Sequence, residues 1–336
     1  MKRRRFLSFA GGLLATPLYA RAQKLPPGPR KTLGVLSLVT FTQEQIAQSP
    51  LGPALRKLGW VEGQNLLFER RFADLKSERL AGFARELVHF PVDAFLVWGP
   101  ESALAAARAT QSIPIVFVLV TWPVEQGLIE SFAHPGHNLT GISSYAGVEV
   151  SSKRIELMRE ILPEAKRLAW IWPRDWSERP DGSRFPIEQD CYAAAKTFGF
   201  ELRMYLVRSN DDVEQAIADL LTWGAEAFLA GDSYSYSRMR QIANFAIQHR
   251  LPLSCPSWIG PQQGALFSYG NARAEFPLMM AQLARQLDRV LRGEDPATIP
   301  VERPNQYELV VNLSTAKALG LTLPSSFLLK ADRVVE

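Results

Sequence analysis

DAFLVWGPES, residues 93–102, and EAFLAGDSYS, residues 226–235, share one construction. Each begins with an acid followed by Ala-Phe-Leu, a short apolar run without helical spacing. Each then turns at a glycine and reaches a serine able to start a helix. Strand, polar turn and helix in that order make the unit from which parallel sheets are built. A second pair precedes them: LRKLGWVEGQNLLFE, residues 55–69, and AAKTFGFELRMYLV, residues 194–207. Each of these is a helix ended by Gly59 or Gly199, then a strand, and glycine suits the left-handed backbone position that follows a helix. The same units in the same order on two halves of the chain indicate two similar α/β lobes.

Working outward, the first half reads as strands at 33–39, 66–70, 94–98 and 115–120, with helices at about 46–58, 78–88 and 102–110. The strands are rich in Val, Leu, Ile and Phe without strict alternation, as parallel strands buried on both faces are. The pattern restarts with a helix at 151–161, then strands at 168–172, 202–207, 227–230 and 252–254 separated by helices at 187–197, 213–223 and 235–249. A strand at 266–269, a long helix at about 275–291 and the stretch YELVVNLSTAKALGLTLP (307–324) follow. This tail packs on lobes already formed, so the chain is expected to cross between them more than once. The division expected is 31–145 plus about 271–295 for the first lobe, and 146–270 plus about 300–336 for the second. Strands separated by helices imply right-handed crossovers in doubly wound sheets.

The 336 residues are 47% hydrophobic and 21% charged, with a formal charge of +4. Residues 1–22 carry Lys2, Arg3, Arg4, Arg5 and Arg21 and no acid; removing those five of the 38 basic residues leaves 33 against 34 acids. The basic balance belongs to this leader, and a nucleic-acid partner is not expected. A basic start, an apolar stretch at 6–20 and the small-x-small site Ala20-Arg21-Ala22 make a signal peptide cleaved after Ala22. Arg3-Arg4-x-Phe6-Leu7 has the form of a twin-arginine export signal. With no cysteine at the cut and no later apolar run long enough to span a bilayer, the mature protein is expected as a soluble periplasmic monomer. Cys191 and Cys255 are too few for a disulfide framework and are expected as buried free thiols, although an oxidising compartment permits a bridge.

Ligands of open α/β sheets sit outside the carboxyl ends of strands, where helix N-termini offer free N–H groups. That rule selects Ser37, then Gly99, Glu101 and Ser102, then Thr121 and Trp122 in the first half. In the second half it selects Trp172 and Asp175, then Asp232, Ser233 and Tyr234. For each serine taken singly, the favoured reading is a helix cap or turn residue alone, although capping and ligand contact can coexist. Asp232 is either an N-cap or a partner for a ligand ammonium. Trp122, Trp172, Tyr234, Trp258 and Tyr269 lie near strand ends, where they stack on a flat ligand or pack the core.

Catalytic patterns are absent. There is no Gly-x-Ser-x-Gly elbow, no Gly-x-Gly-x-x-Gly after the first strand and no phosphate-binding P-loop. His134 and His137, in SFAHPGHNLTGISS (131–144), flank Pro135-Gly136, which forces a turn. Histidines three apart face together on a helix and not across such a turn, and no acid or cysteine adjoins them, so neither metal nor cofactor is expected. Asn138-Leu139-Thr140 has the form of a glycosylation acceptor, at odds with the bacterial type of the leader. NLTGISS reads as a polar strand near the exit of the first lobe.

Several stretches resemble one family in order along nearly the whole chain: RRRFLSFAGG, GVLS, LRKLGWVEGQNLLFERRFAD, IPIVFVLVTWPVEQGLIESFAHPGHNLTGIS, KRIELMREILPEAKRLAWIWP, GALFSYG and YELVVNLSTAKALGLTLP. The family is the TrpX-like group of ABC-transporter substrate-binding proteins. The resemblance implies a type I periplasmic-binding-protein fold: two flavodoxin-like lobes, a hinge of several crossings and one ligand in the cleft. It implies no chemistry and no cofactor, and an inner-membrane ABC permease as partner. Relatives of this group bind amino acids, aromatic ones among them. By motif, pocket positions fall on Ser37, Gly99–Ser102, Thr121–Trp122, Asn138, Thr140 and Gly141, Asp232, and Tyr269–Gly270. Where the family has a small residue, Asp and Pro before Val, this chain has Thr121-Trp122-Pro123-Val124. An indole in place of that acid points to a ligand of different charge or more apolar character.

The expected function is therefore capture of a small, amino-acid-like solute by lobe closure, with small anionic groups on the turns at Ser102 or Ser233 and aromatics covering the rest. Two rivals remain from the residues. One is a hydrolase in the same shell using Asp175 or Asp232 with a histidine. The other is the ligand module of a sensor.

Overall fold

Short Val/Ile/Leu/Phe runs form two separate sheets in this computed structural model, which describes residues 30–144, 147–174, 187–231, 235, 237–303 and 305–336. The leader with its cleavage site after Ala22, Asp175, and the Asp232–Tyr234 turn lie outside the described residues.

The first sheet runs β2-β1-β3-β4-β5, all parallel, from β1 (Lys31–Ser37), β2 (Leu66–Phe72), β3 (Ala94–Trp98), β4 (Ile115–Val120) and β5 (Leu139–Ser143). The second takes β6 (Arg167–Pro173), β7 (Glu201–Val207), β8 (Ala227–Leu229), β9 (Leu253–Cys255), β10 (Phe267–Asn271), β11 (Tyr307–Asn312) and β12 (Arg333–Val335). Its order is β12-β11-β10-β9-β8-β6-β7, antiparallel only between β10 and β11. Two flavodoxin-like α/β lobes result.

Helices cover both faces of each sheet, which is why the strands lack alternation. On one face of the first sheet, Met280, Leu283, Ala284 and Leu287 of helix Glu275–Leu291 pack on Leu33, Leu96, Val116 and Val118. Helices Leu80–His89 and Pro100–Ala109 cover the other face, against Leu36, Phe95 and Phe117. This second cluster runs on without a break into Ala169, Ile171 and Phe228 of the other lobe. Helices Gly147–Ile161 and Ile187–Thr197 cover Leu168 and Trp170 on the second sheet.

The chain passes between the lobes more than once, and among the described residues the passages are bonded side by side. Glu302 N donates to Gly141 O at 3.1 Å and Ser143 N donates to Glu302 O at 2.8 Å, which ties the last passage to the first. Ala272 N donates to Gln306 O at 3.0 Å, which ties it to the second.

Some expectations needed correction. The helix expected at 46–58 is two helices, Gln43–Gln48 and Leu51–Lys57, because Pro50 stands between them. β5, expected as a polar strand, is buried along its whole length, its Thr and Ser bonded to neighbouring backbone. β12 is only three residues long, too short to leave a periodic signal. Gly59 and Gly199 do take the left-handed backbone, with φ of 92° and 75°. Among the described residues no helix is long and apolar enough to cross a membrane.

Both cysteines are free and buried. Burial pushes the thiols of Cys191 and Cys255 up to about 12 from 9.0, against the opposing pull of Arg154 on each. The folded state therefore keeps these protons to higher pH than the unfolded chain. The thiols leave stability unaffected below pH 9 and weaken it as the pH climbs from there. A disulfide-exchange reagent at pH ~8, below the ordinary thiol pKa, is expected to find no fast-reacting thiol in the native protein and both in denaturant. A rapidly modified native thiol would contradict this burial.

Candidate functional site

Most expected residues lie at the carboxyl ends of their strands, and the ends of β4 and β6 meet where Trp122 stacks on Trp172. Ser37 ends β1 at 1% exposure, its Oγ accepting from Val39 N at 3.1 Å. Gly99, with φ of 81°, is the N-cap of helix Pro100–Ala109 and has no side chain to cap it. Glu101 and Ser102 follow in its first turn, both buried. Ser102 therefore sits inside the helix and not at its cap. Its Oγ is fully buried and has no hydrogen-bond partner among the described residues. An unsatisfied buried hydroxyl costs about 1–3 kcal/mol, and Ser254 Oγ and Ser268 Oγ on the second sheet share this condition.

At the end of β4, Thr121 Oγ1 and Ser144 Oγ share a hydrogen bond of 3.2 Å. Trp122 follows. Its ring is 5.2 Å from that of Trp172, with 22° between the planes, and Trp172 in turn meets Trp170 edge-on at 5.0 Å. Trp172, the last residue of the strand expected at 168–172, lies on β6, which runs one residue further, to Pro173. Tyr269, on β10, is half-buried against the same aromatic cluster, 6.4 Å from Tyr307. Tryptophans from two sheets thus form a stacked wall that joins them. Trp258, further along, lies under the guanidinium of Arg273 at 5.1 Å.

Three expected residues have other work. Asn138 stands at the amino end of β5, the end opposite the site, where its Nδ2 donates to Ile113 O at 2.7 Å and to Thr110 O at 3.3 Å. Thr140 is fully buried, and its Oγ1 donates to Ile299 O at 2.8 Å and to Gln286 Oε1 at 3.2 Å, holding the last interlobe passage. Gly141 allows β5 to lie close on β4, since a Cβ there would stand 2.1 Å from Phe117 O. Asn138 and Thr140 hold neighbouring backbone through these bonds, and Gly141 sets the close approach of β5 to β4. His134 closes a turn, its N–H donating to Ser131 Oγ at 3.0 Å. Among the described residues no cluster of His, Cys, Asp or Glu is arranged to hold a metal.

The structure also adds residues that the strand-end rule passed over. Phe41, Phe72 and Trp98 form a half-buried aromatic group at the ends of β1–β3, with ring separations of 5.7 and 5.1 Å. Arg154 is buried over the ring of Trp170 at 5.1 Å. One turn beyond Trp122, Glu125 Oε2 and both amide atoms of Gln126 are buried without hydrogen-bond partners, and burial pushes the Glu125 carboxyl up. Their nearness to Trp122 in sequence was the available signal. Two grooves, of about 600 and about 210 Å³, lie elsewhere, on outer helices near Arg85 and near Phe245.

Two doubly wound lobes, more than one crossing and an aromatic seam between strand ends define the class of two-lobed solute-binding proteins with the type I periplasmic fold. A crystal structure of a conserved domain protein from Vibrio cholerae overlays with a TM-score of 0.78 at 25% identity, covering 91% of this chain and 99% of that one. An ABC domain from Streptococcus pneumoniae in complex with L-Trp overlays at 0.77 with 19% identity, covering 91% of this chain and all (100%) of that one. The model of the family "ABC transporter substrate binding protein" matches residues 33–335, and the chain belongs to that family. A tyrosine-binding protein of Clostridioides difficile is 26% identical over 292 residues, 87% of this chain and 81% of that protein. Proteins of this family are non-catalytic and serve ABC importers, typically outside the cytoplasm and together with permease and ATPase components. Membership sets the hydrolase reading aside.

Proposed function

We propose that this chain, a member of the TrpX-like group, captures an amino-acid-like solute carrying a flat aromatic or apolar group and presents it to an inner-membrane ABC permease. A signal peptide cleaved after Ala22 delivers it to the periplasm, by the twin-arginine route. The lobes are 31–145 with 271–295, and 146–270 with 300–336. The observation that carries this reading is the aromatic wall of Trp122, Trp170, Trp172 and Tyr269 at the strand ends. Aromatic rings there favour offset or edge contacts with a flat ligand. The kinship with a tyrosine-binding protein supports the same class of ligand.

Ser37, the Gly99–Ser102 turn and Thr121 form the polar side of the site, with Ser102 Oγ free to take an anionic ligand group near the helix N-terminus. Asp232 and Tyr234, which follow β8 in the sequence, are the second lobe's contribution in this reading. Ligand touching both lobes binds the closed form better and shifts the population by that difference. Trp122, standing where relatives carry an acid, leaves Asp232 as the carboxylate for a ligand ammonium.

A thermal-shift panel of the mature protein against the amino acids and small carboxylic acids tests this. Tyrosine, tryptophan or phenylalanine is expected to raise the melting point, since ligand at 100 times its Kd stabilises by ~2.7 kcal/mol. Asp232→Ala is expected to weaken that binding more than ~10-fold, about 1.4 kcal/mol. A panel in which no aromatic amino acid acts would defeat the ligand class. An unchanged Kd in the variant would return Asp232 to a capping role.

A further inference from the structure

Trp122 leaves its own lobe. It follows β4 of the first sheet, yet its ring is 95% covered (5% exposed) within an apolar cluster built around the second sheet. Among the described residues, every other buried member of that cluster lies between Ile155 and Phe327, on the second-sheet side. Trp122 is thus the one first-sheet side chain inserted there, and it ends a ladder of three indoles, stacked on Trp172 and through it edge-on to Trp170. Separating the lobes would pull this ring out of the cluster into water.

We infer that Trp122 is a built-in latch, a side chain of the first lobe that closes the protein on itself in the absence of solute. Burial of an indole and an offset stack with a second indole are both lost on opening, and neither needs a ligand. The equilibrium between open and closed forms spans only a modest energy gap, so a contact of this size, added to the apolar cluster already shared by both sheets, shifts it. The solute then enters when the latch releases. Ligand binding waits on opening, and the competent open state is a minor one that lowers the apparent affinity by its fraction. The inference requires that the lobes be separable, and stands apart from the identity of the solute.

Small-angle scattering of the mature protein, stripped of bound solute by unfolding and refolding and shown by native mass spectrometry to be the bare chain, tests it directly. The wild type is expected to scatter as a closed molecule. Trp122→Ala is expected to raise the open population at least tenfold and to increase the radius of gyration, and Trp122→Phe to fall between. The exciton signal of coupled indoles in circular dichroism is expected to weaken in Trp122→Ala, leaving that of the Trp170–Trp172 pair. Trp122→Ser serves should the alanine variant fail to fold. Identical scattering from the wild type and either small-residue variant, whether both open or both closed, overturns the latch. Because no ligand is present, failure of the proposed ligand class leaves this result untouched.

Discussion

Gly141→Ala is expected to destabilise the protein by about 2–6 kcal/mol, the sum of an overpacking cost and a backbone-strain cost. Gly141 pairs with Phe117 across β4 and β5. An added Cβ would stand 2.1 Å from Phe117 O and 2.7 Å from Phe117 N. These are backbone atoms of a central ladder and do not swing aside as a side chain would. The backbone φ of 154° adds strain of its own for any residue with a Cβ. Chemical denaturation of wild type and variant, followed by far-ultraviolet circular dichroism, measures the loss. An unaltered denaturation midpoint would mean that the strands separate at no cost.

Trp172→Ala is expected to cost about 3–5 kcal/mol, the range for emptying the volume of a buried large aromatic ring. Trp172 is 2% exposed and contacts Trp122 on one side and Trp170 on the other. Alanine leaves two indoles facing a void that β6, held in register with β7 at this residue, does not readily close. Trp172→Phe retains a ring and is expected to lose about half as much or less, in line with milder aromatic truncation. A protein of two lobes need not unfold in one step, so the midpoint of the first transition is the quantity to compare. An alanine variant with the parent's first midpoint would show that this ring is not part of the core.

The two effects differ in what the sequence revealed of them. Gly141 lies in a stretch that resembled the family's, and proximity in that stretch placed it with Asn138 and Thr140 near the ligand. Three-dimensional placement separates them: Asn138 sits at the strand's opposite end, and Thr140 reaches Ile299, 159 residues away. Trp172 was recognised as a strand-end aromatic, but its stacking partner Trp122 was not foreseeable. No local pattern states which face of a strand meets a loop of another sheet. Ser102 was located correctly at the end of β3, whereas its place inside the first helical turn depended on Gly99 taking the N-cap.

By itself, the sequence determined the alternation of strand and helix, the two-lobed division and the turn that ends β3, because these rest on hydrophobic runs, glycines and caps acting over a few residues. Tertiary structure alone decided that the last interlobe passage binds beside the first, that Thr140 faces the hinge, and that Trp122 lies in the other lobe's core. Those outcomes depend on how two sheets, each complete in its own hydrogen bonds, settle against each other. That settling is governed by the burial of apolar surface, which is additive over area and carries no address in the sequence.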